Sequence, residues 1–568
     1  MKNKVLLLVI FYFLLFSISW LISWNRTKPY VRPEIYFIIL SIMGIITLIQ
    51  VLMSPKSMPK FCKLVLFSEI FLLSVSFNIT QQLLYQTVTG RDPWGHWILT
   101  ETIIRTGHIP SFNEIPSPYV KIPNFHILIA TYMLISGMTY KWASYLVAGT
   151  GTLLLEFFII YLLTRSLFKE NIAFLAMLFV AVSDVVLCMT GKNIVPNTVG
   201  IGLTLLLLYL FIQQEKLIAH LKGKFLVVIL ILGLVFTHTI SYAFALTQLI
   251  LLIILDFVIN KDKESVRENL CWTLVFFVIA IFVWAFVSGF YFEGAIMRIR
   301  WFFVAGDEGV QQYVQNLTVP FVYVILARLG MLLLFGTGSI GILAILTGRN
   351  RHNFKVIKLA IVSAFFIVTG IVAPFIPTFL GINERLWYYG EVLGSVYTGY
   401  LISRVWQSKR FRLIKRSLVM FSAFVIMWLM FTASISNDDN PIVKEYTIRT
   451  GWYDSEILTA KFAITRSSLP IATDIDFQHF SSIKVGMLNE SFRKDPICNL
   501  KTFDDIIRNG DCLVLMRMNL IQERYFVLGK GYSQRAYLPF GAETKRVLAR
   551  IIAFKNTIYT TGNTIAVV

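Results

Sequence analysis

Apolar runs of about 20 residues recur along this chain from its first residues to Met430, each long enough to cross a bilayer as a helix. A lipid-facing segment must satisfy its own backbone, so the recurrence points to a bundle of membrane helices. Composition agrees. Hydrophobic residues fill 56% of the 568 positions and charged residues 15%, against about a quarter charged in a soluble domain. The expected fold is a multi-pass α-helical membrane protein of about thirteen transmembrane helices. They are placed at 5–24, 34–53, 64–85, 142–163, 172–189, 198–212, 225–236, 240–258, 270–290, 319–346, 357–379, 386–402 and 413–434. Residues 1–21 have the hydropathy of a signal peptide. Arg26 to Arg32 offers no small-residue cleavage site and a second run follows at once, so the stretch reads as a first span.

Lys and Arg number 52 against 32 acidic residues, a net charge of +20. The excess sits in alternate loops, as the positive-inside rule requires, and is not read as a nucleic-acid surface. Lys2 and Lys4 place the N-terminus in the cytoplasm. Lys56/Lys60/Lys63, Arg165/Lys169, Lys216/Lys222/Lys224, Lys261/Lys263/Arg267, Arg349/Arg351/Lys355 and the run Lys409-Arg410…Lys415-Arg416 fall on the same side. An odd number of spans then leaves the C-terminal part outside, in a plasma-membrane protein. The apolar piece 122–137 is short and reads as re-entrant or interfacial. A full crossing there would turn every later basic loop outward.

Two domains are expected. Residues 1–434 form the transmembrane unit, with an outer segment at 86–140 that carries interfacial helices. Residues 435–568 form a small extracytoplasmic α/β domain, with a helix at 455–467 and strands near 469–472, 483–487, 512–516 and 564–568. Five cysteines are too few for a disulfide scaffold or a zinc cluster. Cys498 and Cys512 share the C-terminal domain, where they either pair or stay as free thiols.

The outer segment opens with Gly90-Arg91-Asp92-Pro93-Trp94-Gly95-His96-Trp97. Asp92-Pro93 is a helix-start signal, with Asp as the cap and Pro at the first helical position. A carboxylate at a membrane boundary is also costly and usually functional. This loop Asp, the interfacial helices after it and the re-entrant Pro123-Asn124-Phe125-His126 resemble the GT-C superfamily of membrane glycosyltransferases. That superfamily includes protein O-mannosyltransferases, aminoarabinose transferases and oligosaccharyltransferase catalytic subunits. The resemblance spans roughly residues 64–434, and the C-terminal domain looks like the one that many members carry.

The resemblance implies transfer of a sugar from a polyprenyl-phosphate donor to a glycan, lipid or protein acceptor. By position, Asp92 corresponds to the family's loop carboxylate, acting as base or as partner of a divalent cation such as Mg or Mn. Arg385, in Gly381-Ile-Asn-Glu-Arg-Leu-Trp-Tyr-Tyr389, resembles the family's phosphate-binding cation. Its alternative is a snorkelling Arg paired with Glu384. Arg298 and Arg300 are further phosphate candidates in the outer loop 293–320, or part of an amphipathic interfacial helix. His238 is placed near the outer face to meet the phosphate, or else bonds neighbouring backbone. His96, His126 and Glu101 are cavity or metal candidates, although the spacing matches no standard ligand motif. The next outer loop, Thr190 to Asn197, has no carboxylate where many members carry one. Asp184 lies inside the preceding span, and Lys192 either supplies charge or is solvated. No P-loop, zinc-protease helix or nucleophile elbow is present. Gly451-Trp452-Tyr453-Asp454 reads as a helix start rather than the oligosaccharyltransferase Trp-Trp-Asp-Tyr-Gly motif. A transporter and a non-catalytic envelope-assembly scaffold are the competing classes.

Overall fold

The computed structural model describes the chain apart from residues 1, 56–57, 91, 116, 261–262, 290, 292, 294–320, 349–352, 377–381, 410, 444–448, 467–470, 473–512, 519–526, 529–535, 538–556, 561–563 and 568. The outer-loop arginines Arg298 and Arg300, the pair Cys498 and Cys512, and the expected strand at 483–487 lie outside the described residues.

Seventeen helices carry the described architecture. The first three are α1 Lys2–Trp24, α2 Glu34–Met53 and α3 Lys60–Gln82. Two shorter ones follow, α4 Asp92–Thr106 and α5 Asn124–Ser136. Next come α6 Tyr140–Leu167, α7 Glu170–Val182, α8 Asp184–Lys192, α9 Pro196–Ile212 and α10 Leu221–Val235. Then α11 Thr239–Ile259, α12 Lys263–Val287, α13 Phe321–Leu346, α14 Phe354–Phe375, α15 Asn383–Gln407 and α16 Arg412–Phe431 complete the bundle. A last helix, α17 Asp454–Arg466, lies beyond it.

Every apolar run of the sequence is a helix, but the count of thirteen spans is not what length and composition give. Among the described residues, nine helices are long and apolar enough to cross a membrane, and a tenth is made if α7 and α8 form one span bent by 58°. Three expected spans fall short of that standard. Two are α9 and α10, with 17 and 15 residues. The third, α15, is 25 residues long but polar, with Glu384, Arg385, Glu391 and Arg404 along it. Its centre is buried on all sides, almost without interruption from Leu386 to Ser403. A helix sheathed by protein need not be apolar all round.

Long-range hydrogen bonds show which helix ends share a face. Lys141 Nζ at the start of α6 donates to the carbonyl oxygens of Gln82 and Tyr85 beyond α3. The chain between them therefore leaves and returns on one face. Helix α5 has 13 residues and sits wholly within that excursion; at 1.5 Å per residue it is about 20 Å long, too short to span. On the same face Arg32, between α1 and α2, is buried with Asp439, which follows α16. Lys63 with Glu170 and Arg404 with Ala344 meet on the opposite face.

Of the C-terminal part, the described residues include α17 and six short strands. One sheet has the order β1 Ile471–Ala472, β2 Leu513–Arg517, β6 Thr564–Val567, β5 Thr557–Thr560, with β1 parallel to β2 and the other pairs antiparallel. Val527–Leu528 and Ala536–Tyr537 pair separately as β3 and β4.

Candidate active site

Five pieces of chain lie on the face where α3 ends. Helix α4 begins at Asp92, one position earlier than the sequence implies, so Asp92 is its first residue rather than its cap. A carboxylate in a first turn still gains from the helix dipole. Asp92 itself is exposed, while Trp94 and His96 on the next turn are buried. A short 3-10 turn, Pro118–Lys121, starts on the Ser117 cap with Pro at its first position and presents Tyr119. Helix α5 contributes His126, the loop before α11 contributes His238, and the first turn of α15 contributes Arg385.

The rings of His96, Tyr119 and His126 form one cluster. His96 Nδ1 and His126 Nε2 share a hydrogen bond of 2.9 Å. Tyr119 meets the His96 ring edge-on at 4.6 Å and the His126 ring at 5.8 Å. Burial pushes the His96 pKa down to about 3, and burial together with His96 holds His126 well below its ordinary value. Both imidazoles are neutral at physiological pH.

Tyr119 ties this cluster to the charges. Burial raises its pKa, Arg385 opposes the rise and Asp92 adds to it, so the phenol lies in the fields of both residues. His238 in turn lies in the fields of Arg385 and His96. Tyr119 and His238 thus both lie within electrostatic range of Arg385. His238 bonds neighbouring backbone, the one of its two readings that is observed. It caps α11, its Nδ1 accepting from Ser241 N at 3.1 Å. A neutral imidazole that accepts at Nδ1 carries its proton on Nε2, which leaves an N–H donor on the other side of the ring. Arg385 is half-buried.

Glu101 is half-buried on α4, three turns of chain beyond Asp92 at most. Lys192 is elsewhere. It is 7% exposed, paired at 2.8 Å with Asp438 and bonded to Ile435 O, so it is neither a solvated loop lysine nor a free cation. Asp438 is the hub of a latch. Its Oδ2 accepts from Thr450 N at 2.8 Å and Gly451 N at 2.7 Å, and its Oδ1 from Thr450 Oγ1 at 3.0 Å. Thr450 Oγ1 then accepts from Gly90 N at 3.1 Å, two residues before Asp92. Gly90 has φ +89°, and a Cβ there would come 2.6 Å from Asn193 Oδ1. The chain after α16 thus fixes the approach to Asp92. Sequence reasoning passed over Tyr119 and this latch. Ser117-Pro118 was a readable turn signal for the first, and nothing local marks the second.

Among the described residues no three His, Cys, Asp or Glu side chains group as metal ligands. The two imidazoles bond each other, and Asp92 is exposed.

No family model matches the chain, and no curated protein matches it. Solved structures do. The apo oligosaccharyltransferase of Archaeoglobus fulgidus is 13% identical over 80% of this chain and 70% of its own, with a TM-score of 0.51. ArnT from Cupriavidus metallidurans bound to undecaprenyl phosphate is 13% identical over 90% of this chain and 98% of its own, with a TM-score of 0.48. The oligosaccharyltransferase in complex with Zn and sulfate is 15% identical over 73% of this chain and 61% of its own, again at 0.48. At such identities the likeness speaks to fold, and the first of these carries it. The bundle of membrane helices thus shares its overall fold with that oligosaccharyltransferase structure.

Proposed function

We propose that this chain transfers a sugar from a polyprenyl-phosphate donor to an extracytoplasmic glycan, lipid or protein acceptor. The observation that supports it is the position of Tyr119, half-buried and within electrostatic range of both an exposed carboxylate, Asp92, and a cation at a helix start, Arg385. A transfer site needs that separation of charge. The acceptor must lose a proton on one side while a phosphate gains charge on the other. Asp92 takes the proton as the acceptor oxygen attacks the anomeric carbon. The bond from that carbon to the phosphate oxygen breaks, and the phosphate leaves on its lipid. Arg385 and the Nε2–H of His238 hold the charge that develops there, with Arg suited to phosphate by its planar fork. Arg298 and Arg300 are proposed as additional phosphate contacts from the covering loop. The neutral His96–His126 pair and Tyr119 form the wall between the two groups, and Glu101 borders it.

Asp92→Asn keeps the size of the side chain and removes the base. Transfer should fall by a factor on the order of 10² to 10⁴, with unchanged protein level and melting temperature. Membranes expressing each form, fed a panel of radiolabelled polyprenyl-phosphate sugars, give the measurement. Wild-type transfer by the variant would remove Asp92 from the chemistry. The transport reading gains one observation, the 58° break between α7 and α8 with Asp184 fully buried beside it. Broken helices at mid-membrane are a transporter device. Among the described residues this is one bent pair, without the second that a repeat would supply.

A further inference from the structure

At the far end of α15 from Arg385 lies a cavity of about 570 Å³. Arg385 and Arg404 are 19 positions apart on this helix, about 28 Å at 1.5 Å per residue, which is close to the hydrocarbon thickness of a bilayer. The cavity is therefore at the opposite membrane boundary and has no part in the chemistry of Asp92. Its walls combine two cations, Lys169 and Arg404, with the buried hydroxyl-bearing Ser403 and the apolar side chains of Leu167, Phe168 and Ile172. Arg404 Nη1 spends one N–H on Ala344 O at 3.1 Å, which anchors the guanidinium at the rim. A guanidinium has five N–H donors, so others remain to face the cavity. Lys169 precedes the first turn of the 13-residue helix α7, which carries its own carboxylate, Glu170, paired with Lys63 at 2.7 Å.

Cations and a hydroxyl beside an apolar wall at a membrane boundary suit a ligand that is anionic at one end and oily at the other. We propose that this cavity seats the phosphate headgroup of an anionic membrane lipid in the leaflet opposite Asp92. Lys169 and Arg404 bind the phosphate, and Leu167, Phe168 and Ile172 receive the start of an acyl chain. The basic loops of the sequence gather on this same face, where an anionic leaflet would attract them. The proposal is independent of sugar transfer and stands whichever reaction Asp92 serves.

The full chain, delipidated in detergent and titrated with phosphatidylglycerol or phosphatidylcholine, is followed by native mass spectrometry. One phosphatidylglycerol should bind per chain in preference to phosphatidylcholine. Lys169→Ala and Arg404→Ala should each weaken it about five-fold and the double variant roughly thirty-fold. Lys415→Ala is the control, a cation on the same face that bonds Ser408 Oγ at 2.8 Å and does not line the cavity. It should leave binding unchanged. Inorganic phosphate and glycerol phosphate supply the second arm. Failure of either to displace the lipid at millimolar concentration assigns the site to the membrane-borne headgroup, and displacement assigns it to the soluble anion. Equal affinity for the two lipids, or equal loss in the Lys415 control, overturns the proposal. A double variant that melts like the wild type but keeps its lipid does so as well.

Discussion

A buried imidazole stays neutral because the interior cannot solvate its cation, and His96 and His126 add mutual repulsion to that cost. Folding thus holds both pKa values below the ordinary 6.5, with His96 at about 3. The sign follows from linkage. In the unfolded chain these residues take up protons as pH falls below about 6.5, while in the folded chain they do not. Their contribution to stability is complete above that pH and is lost progressively as pH falls from about 6.5 towards 3. Each withheld proton costs about 1.4 kcal/mol per pH unit in that window. Purified protein unfolded in detergent between pH 7.5 and 5 should lose stability on acidification. His96→Gln should make the curve shallower by about one proton and leave His126 to account for what remains. An unchanged slope would mean that the imidazoles are not the groups responsible.

At the scale of elements, the approach to Asp92 is held by chain that follows the last span. The arrangement runs Lys192, Asp438, Thr450, Gly90, and each link is a hydrogen bond or ion pair. Thr450→Val keeps the volume and removes the hydroxyl that receives Gly90 N, so a partly buried N–H loses its partner at a cost of about 1–3 kcal/mol. We expect faster amide exchange at Gly90 and its neighbours, read by mass spectrometry, and a fall in transfer through kcat more than through KM. Loss of stability with exchange around Gly90 unaltered would show that Thr450 does not hold this loop. The elements themselves were legible because an apolar run or a Pro at a helix start is a local signal, which is why α1, α2 and the start of α4 near Asp92 could be read from the letters. The latch could not. Lys192 has the letters of an ordinary loop lysine, and its partner becomes visible only when α16 has returned the chain to that face. Arg32 and Asp439 are farther apart still, at 407 positions. Hydropathy alone passes over α15, whose polar residues are sheltered by other helices.

For the whole molecule, the ion pairs constrain topology more firmly than hydropathy does. Arg32 donates from Nε and Nη2 to both oxygens of Asp439 at 2.9 and 2.8 Å, with both side chains fully buried. Breaking such a pair from one side costs on the order of 3–5 kcal/mol, so the two ends are not brought together by accident. Residues 32 and 439 on one face require an even number of crossings between them. If α5 crossed as well, that number would be odd and the pair would be split by the bilayer. Asp92, Arg385 and the chain after α16 thus share a face, while Lys169, Arg404 and Lys415 share the other. The positive-inside rule predicts that the second face is cytoplasmic. Cysteine placed at Ser111, exposed in the Asp92 segment, should react with a membrane-impermeant maleimide in intact cells. Cysteine placed at Gln407, exposed at the end of α15, should react only after permeabilisation. The reverse pattern would turn the molecule over. Asp92 would then face the cytoplasm, and an extracytoplasmic acceptor could not reach it.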